Sequence, residues 1–210
     1  MKNNNTVLGL SIAAILAISI VSVTALPDAF AKQVPAPDFE AKLQGKQQTV
    51  PEERGGGHGK ASFWLIEEAN EPALQYTIEV SKNLYIEEAK GTGDLITKIH
   101  LHSQDPGVAG PHVLNIFGAP SEDDKHLTVD KDARTFSGIW DDGDAFDVGS
   151  NGRTPNDSVA LNDFDTLTGQ IPLDGLCDGK LYVNIHSEKH GPGALRGQII
   201  SISDACENIE

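Results

Sequence analysis

The segment from Ile96 to Phe117, ITKIHLHSQDPGVAGPHVLNIF, combines two apolar strands, a loop rich in Gly and Pro, and three histidines. Alternate side chains of an extended strand share a face, so the side chains of His100 and His102 point to the same side. A His-x-His pair on one face is unusual for a strand with a purely structural role. The segment therefore predicts two strands with histidines gathered around the loop between them.

Two further strands extend this histidine pattern. The returning strand begins at Pro111 and His112, so His112 enters the sheet at the same end as His102. A second segment, Leu181 to His190 (LYVNIHSEKH), places His186 on another strand. We expect these side chains to surround one pocket at a single end of the domain. The predicted set is His100, His102, His112 and His186.

Strand signals also recur through the rest of the chain. The cleanest alternation runs from Leu74 to Val80, which is typical of a half-buried antiparallel strand. We count seven to nine short strands joined by turns of Gly, Pro, Asn and Asp, with no convincing long helix. The pattern predicts an all-β fold, an antiparallel and Greek-key-like β-sandwich.

The first 60 residues have a different composition. Val7 to Val23 is almost wholly apolar and Ala29-Phe30-Ala31 is a small-x-small site, so residues 1–31 are predicted to be a signal peptide. An uncleaved membrane anchor is the alternative, because the apolar run is only slightly shorter than the ~20 residues of a spanning helix. Residues 32–60, rich in Pro, Gln and Gly, are predicted to be a flexible linker. The folded domain is expected at residues 61–206.

The charge balance narrows the classes of partner. The chain has 16 Lys and Arg against 31 Asp and Glu, a net charge of −15. Nucleic acids and anionic membranes bind clustered Lys and Arg, so neither is an expected partner. Contact with a membrane is expected only if the signal segment is retained. The expected partner is a protein or glycan at the cell surface, and the expected location is secreted or on the cell surface.

The chain contains two cysteines, Cys177 and Cys206. An even number in an oxidising compartment favours a disulfide, here joining the C-terminal tail to the loop before the Leu181 strand.

Histidine chemistry suggests what the cluster could hold. Histidines at positions i and i+2 of a strand have β-carbons ~7 Å apart, so both imidazoles can reach one ion at ~2.0 Å. Neutral imidazoles without a thiolate suit copper or zinc. The alternative is that each histidine orders a loop through hydrogen bonds. Arg196 could hold a carboxylate of a ligand, or could have a structural partner such as an acid or loop carbonyls.

The two histidine segments, HLHSQDPGVAGPHVLNIFG from His100 to Gly118 and LYVNIHSEKHGPGALRGQI from Leu181 to Ile199, together resemble the chordin-type domain named CHRD. The resemblance covers residues from about Ala61 to Ser203. It implies a secreted or surface β-sandwich domain. The positions that match the family motif are His100, His102, Gly110, Pro111, Tyr182, Asn184, His186, Arg196 and Gly197.

One position departs from the family pattern. Members usually carry an acidic residue just before the apolar-Arg-Gly step, where this chain has Ala194. Any pairing of that acid with Arg196 or a histidine must be absent here or supplied by another group.

Three functions follow from these expectations. The first is an extracellular binding or scaffolding module, without enzymatic activity, in which the histidines order loops or hold a metal. The second is a copper-binding redox protein similar to copper-zinc superoxide dismutase, which also carries a His-x-His strand. The third is a cell-envelope protein that acts by contact with protein or glycan alone. The dismutase's Gly-Asp-Leu-Gly-Asn segment does not occur in this sequence.

Overall fold

The structure is a computed structural model that describes residues 35–50, 55–81, 83–86, 94–118, 124–145 and 154–208. Residues from Ala36 onward belong to one compact unit. The predicted signal peptide, residues 1–31, lies outside the described residues.

The described chain is mostly β-structure, which confirms the predicted all-β class. The eleven strands are β1 (Phe39–Gln44), β2 (His58–Glu68), β3 (Glu71–Val80), β4 (Leu84–Tyr85), β5 (Asp94–Ser103), β6 (His112–Phe117), β7 (Thr128–Asp130), β8 (Thr135–Trp140), β9 (Leu181–Ser187), β10 (Leu195–Gln198) and β11 (Ile200–Ser201). Seven to nine were predicted. The number is higher partly because β4, β7 and β11 have only two or three residues, too few for periodicity to reveal.

All the strands belong to one hydrogen-bonded sheet. Its order is β4-β5-β9-β10-β1-β2-β3-β8-β7, with β6 also paired to β5 and β11 to β1. Neighbours are antiparallel, as predicted, except that β4 and β5 run parallel. The layers expected of a sandwich are therefore parts of one curled sheet. The curl brings distant strands together, since the rings of Phe117 on β6 and Phe136 on β8 lie 5.3 Å apart.

The core fills the inside of this curl. Strand alternation sends large apolar side chains inward from both ends of the sheet, and Phe39, Tyr76 and Trp140 are fully buried. The indole of Trp140 donates a hydrogen bond to the carbonyl of Val159 at 2.8 Å. The buried indole N–H of Trp140 therefore has the hydrogen-bond partner that buried indoles usually find.

The predicted flexible linker is wrong over part of its length. Strand β1 lies inside residues 32–60 and pairs with β2 on one side and with β10 and β11 on the other. Its burial alternates, with Phe39, Ala41 and Leu43 inside. Three inward residues, separated by Glu40 and Lys42, give too short a pattern to stand out in a polar sequence. The domain therefore begins before Ala61.

Helical structure is sparse. The helix α1 (Pro172–Cys177) begins with a proline in its first turn, where the missing N–H is not needed. At its end, Cys177 forms a disulfide with Cys206 across a separation of 29 residues, which confirms the predicted bond. Within the described residues, helices of the length and apolarity that a membrane crossing demands are absent.

Candidate metal centre

The histidine cluster is built by the pairing of three neighbouring strands. Strand β5 lies between β6 and β9, with His102 opposite His112 on one side and Tyr182 on the other. His100, two residues earlier, faces Asn115 on β6 and Asn184 on β9. Register shifts on β5 lie next to both histidines on the β6 side. The register therefore places two histidines of β5 and one of β6 on the same patch of sheet.

Three imidazoles meet at this patch. Ring centroids are 4.0 Å apart for His100 and His112, 4.4 Å for His102 and His112, and 5.8 Å for His100 and His102. One ring nitrogen from each of the three lies within 4.8 Å of the others. His100 is 1% exposed and His102 is 7% exposed, so these two rings are shielded from water, whereas His112 is half-buried.

Hydrogen bonds fix the orientation of two of these rings. Nδ1 of His102 lies 2.9 Å from the carbonyl oxygen of Gly110, so it donates and leaves the Nε2 lone pair unprotonated. Nδ1 of His112 lies 2.9 Å from Oδ1 of Asn115, whose Nδ2 donates to the carbonyl of Asn156. That second bond identifies Oδ1 of Asn115 as the acceptor. Oxygen acceptors at Nδ1 are the outer support that metal-binding histidines usually have.

His186 stands beside the three-histidine group. Its ring centroid is 5.1 Å from that of His100, so the structure does bring the fourth predicted histidine to the cluster. Its Nδ1 donates to the carbonyl of Gly191 at 2.6 Å, and its Nε2 faces Nδ2 of Asn184 at 3.1 Å. Both nitrogens of His186 therefore have protein partners, and His186 is not one of the three histidines whose ring nitrogens lie within 4.8 Å of one another.

Burial favours the neutral form of the imidazoles of His102, His112 and His186. Desolvation, with a smaller contribution from neighbouring His112, lowers the pKa of His102 to about 3. Desolvation also lowers the pKa of His112 to about 4, against the hydrogen bond that Nδ1 of His112 donates to Oδ1 of Asn115, which raises it. The pKa of His186 is lowered as well, again mainly by burial. At neutral pH these three imidazoles therefore lack a second proton, so a cation would not compete with one for the other ring nitrogen.

A stacked arrangement borders the cluster. The ring of Tyr182 is parallel to that of His102, with centroids 4.9 Å apart and planes 5° from each other. The guanidinium carbon of Arg196 lies 3.4 Å from the centroid of Tyr182. Nη2 of Arg196 also donates to the carbonyl of Val108 at 2.8 Å. Arg196 therefore contacts a loop carbonyl and an aromatic face.

Two polar residues of this neighbourhood were missed by sequence reasoning. Asn115 orients His112, and its position opposite His100 on the returning strand could have indicated it. Gln48 donates to Oδ1 of Asn184 at 2.8 Å, although it lies in the segment predicted to be a linker. No local pattern indicates the role of Gln48, because its partner lies 136 residues away in the sequence.

A second, more exposed group lies where β2 and β8 end. Glu68, His126 and Asp141 offer ligand-type atoms within 4.8 Å of one another. Nδ1 of His126 is 3.4 Å from a carboxylate oxygen of Asp141, the geometry of an ion pair when the imidazole is protonated. His126 was not expected to belong to any site.

Comparison with protein families identifies the domain. The profile of the CHRD domain matches residues 39–199. The chain belongs to the CHRD domain family. The match begins at the first residue of β1, so the CHRD domain includes the strand that had been assigned to the linker. Neither the curated proteins nor the solved structures contained a match to the chain.

The family motif positions take on definite places in this CHRD domain. Pro111 precedes β6, and its carbonyl accepts from the amide of Ser103 at 3.1 Å. Gly197 on β10 packs so closely against β1 that an added Cβ would lie 2.7 Å from the carbonyl oxygen of Lys42. Ala194, which replaces the usual acid, is fully buried. The carbonyl of Val108 and the Tyr182 ring partner Arg196 here.

CHRD domains are extracellular-type binding modules, and the disulfide of this chain is consistent with an oxidising compartment.

Proposed function

We propose that this CHRD domain is an exported binding module, secreted or held at the cell surface, with a transition-metal site formed by His100, His102 and His112. The ion would be copper or zinc. One observation carries the proposal: Nε2 of His102 is buried and has no hydrogen-bond partner among the described residues. A buried polar atom left in this way costs ~1–3 kcal/mol, and a metal ion at the centre of the three rings would remove that cost.

The distances suit a metal ion. Two metal–nitrogen bonds of ~2.0–2.1 Å place their nitrogens at most ~4 Å apart, so three ring nitrogens that lie within 4.8 Å of one another need at most a small closing movement to bind one ion. Imidazole donors without carboxylate or thiolate suit copper and zinc over calcium or magnesium. When bound, the metal would crosslink β5 and β6 and leave a coordination position for a water or for a group of a partner.

His186 has a supporting part in this proposal. Its ring neighbours His100, and its Nε2 would become available if Asn184 turned its amide toward the carbonyl of Pro192, to which it already donates at 3.2 Å. The module would present its site beside the loops that follow β5 and β9. A protein or glycan at the cell surface is the proposed partner.

The first experiment measures metal in the protein itself. The exported form, residues 32–210, is purified without an affinity tag, and its copper and zinc are quantified by plasma mass spectrometry before and after dialysis against each metal. Wild type is expected to bind close to one equivalent of copper or zinc, and a His100→Ala/His102→Ala variant none. His58→Ala is the matched control, because His58 is exposed on β2.

Wild-type protein that takes up neither metal would overturn the metal site and leave the histidines as groups that order loops. Uptake of copper accompanied by superoxide turnover would replace the binding role with the dismutase-like one. Export is tested separately by N-terminal sequencing of the protein from its native host, with Lys32 expected as the first residue.

A further inference from the structure

The column formed by His102, Tyr182 and Arg196 links the histidine cluster to the loop between β5 and β6. Strand β9 lies between β5 and β10, so Tyr182 has His102 on one side in the sheet and the strand of Arg196 on the other. The Tyr182 ring is 3% exposed and the Arg196 side chain is also buried. Stacking and cation–π contacts of this kind are worth more when they are desolvated.

All three side chains of the column also bind the backbone of one short loop segment. The amide of Gly110 donates to the hydroxyl oxygen of Tyr182 at 3.0 Å, and the carbonyl of Gly110 accepts from Nδ1 of His102 at 2.9 Å. Arg196 donates to the carbonyl of Val108, two residues earlier. A single residue, Gly110, therefore connects Tyr182 to the histidine that carries the buried Nε2 atom.

We infer that Tyr182 and Arg196 are positioning residues of the metal site, holding His102 in its ligand orientation through the Gly110 peptide group and through the ring stack. This inference rests on the proposed function. Tyr182 acts by two routes, since its hydroxyl fixes Gly110 and its ring face fixes the imidazole plane. Arg196 acts indirectly, because it contacts the Tyr182 ring and the carbonyl of Val108 rather than His102. Neither residue would be a ligand of the ion.

The loop geometry leaves little freedom at the connecting residue. A Cβ placed on Gly110 would lie 2.1 Å from the carbonyl oxygen of Ser103 and 2.8 Å from the Cβ of Gln104. Only glycine therefore allows the backbone to pass close enough for both hydrogen bonds. Outside this point of contact, Asp105 to Ala109 are exposed, so the loop shows one side to solvent and uses the other to hold the site.

The test compares the metal affinities of two Tyr182 variants. Tyr182→Phe removes the hydroxyl and keeps the stack, whereas Tyr182→Leu removes both. Competition titrations with copper and zinc chelators are expected to show a Kd about 10-fold weaker for Tyr182→Phe, and up to about 100-fold weaker for Tyr182→Leu, the range typical of outer-shell changes. Arg196→Gln is expected to weaken Kd about as much as Tyr182→Phe.

Tyr76→Phe is the matched control. Tyr76 is a fully buried tyrosine whose hydroxyl donates to Asp124 at 2.7 Å, away from the histidine cluster. Its Kd should equal that of wild type even if its stability falls. Equal affinity of wild type and both Tyr182 variants would overturn the inference, as would a loss in Tyr76→Phe as large as that in Tyr182→Phe.

A second measurement separates this inference from the metal site. Long-range ¹H–¹⁵N correlation spectra of the metal-free protein report which nitrogen of His102 carries the proton. Wild type is expected to show a single tautomer protonated at Nδ1, and Tyr182→Leu an average of the two tautomers. If wild type binds no metal, the proposed function fails, and this spectrum alone decides the positioning role. The same fixed tautomer in both proteins would overturn it.

Discussion

The imidazole rings of His100 and His112 lie 4.0 Å apart, centroid to centroid, on strands that run in opposite directions. This contact joins a residue near the end of β5 to the first residue of β6, across the loop that the two strands enclose. A metal ion bound there would close the loop at its base.

The histidines of the cluster should differ in their importance for binding. His112→Ala is expected to weaken the Kd for copper or zinc by more than the ~100-fold limit of outer-shell changes, because it removes a ligand. His186→Ala should weaken it only about 10-fold, since both nitrogens of His186 already have protein partners. Competition titrations measure both values. Equal losses in the two variants would contradict the three-histidine site.

Replacing Gly110 by alanine should damage the site without touching a histidine. The added Cβ would collide with the carbonyl oxygen of Ser103, so the loop must move and both hydrogen bonds of Gly110 are lost. We expect a loss of about 2–4 kcal/mol in the free energy of unfolding, within the range for overpacking plus lost hydrogen bonds, and weaker metal binding.

Gly56→Ala provides the comparison for that change, since nothing lies within 4 Å of the Cβ position at Gly56. In urea unfolding and chelator titration, Gly110→Ala should lose stability and metal affinity, whereas Gly56→Ala should lose neither by contact. Wild-type metal affinity in Gly110→Ala would show that the loop does not support the site.

The stability of the metal-free protein should fall as the pH falls below about 6.5. The folded-state pKa values of His102 and His112, about 3 and about 4, lie below the ordinary value of 6.5. Between these folded-state values and pH 6.5, the unfolded chain therefore binds more protons than the folded protein. The stability that the two neutral imidazoles contribute is complete above pH 6.5 and is lost as the pH falls from 6.5 toward the folded-state pKa values. Each group contributes at most about 1.4 kcal/mol per pH unit. Urea unfolding across this range measures the slope.

Asp124 opposes this trend. Burial, with the nearby Asp144 carboxylate, raises the pKa of Asp124 to about 6. The stability that protonated Asp124 contributes is complete below the ordinary carboxyl pKa of 3.8 and is lost as the pH rises through about 6. An Asp124→Asn variant should therefore lose stability more steeply than wild type as the medium is acidified. A smaller loss of unfolding free energy on acidification in this variant than in wild type would contradict the raised pKa of Asp124.

Loss of the disulfide should destabilise the domain without altering the site. Closing a loop of 29 residues is worth about 3–4 kcal/mol in the chain-entropy model, so Cys177→Ala/Cys206→Ala should unfold at a lower urea concentration. Because the bond lies at the end of α1 and not on β5 or β6, the Kd for metal should match that of wild type. Equal stability of the oxidised and reduced wild-type protein would contradict this expectation.

Local sequence patterns predicted those features that depend on short-range order. The face shared by His100 and His102 follows from strand alternation, and the entry of His112 beside His102 follows from the short connection between β5 and β6. The disulfide followed from cysteine count and compartment. The first two relationships need only the chain's own geometry over a few residues, whereas the disulfide was predicted from the number of cysteines and not from geometry.

Long-range relationships were not accessible in the same way. Strand β1 was missed because its three inward side chains are too few to signal a strand, and its stability comes from pairing with β10 and β11, more than 150 residues later (Gln44↔Arg196, Phe39↔Ser201). Asn115 and Gln48 act through partners that only the folded sheet brings near. The choice between one curled sheet and two stacked sheets likewise depends on strand order, which periodicity does not encode.

The place of β1 also has a consequence for the export that we propose. A chain that crossed a membrane N-terminus first would deliver β1 early, yet β10 and β11, which cover one edge of β1, would be among the last strands to arrive. Until then that edge of β1 would be open, and an open strand edge is a template for pairing with other chains. In an exported chain the sheet would therefore be complete only after β10 had crossed, so folding would end after translocation.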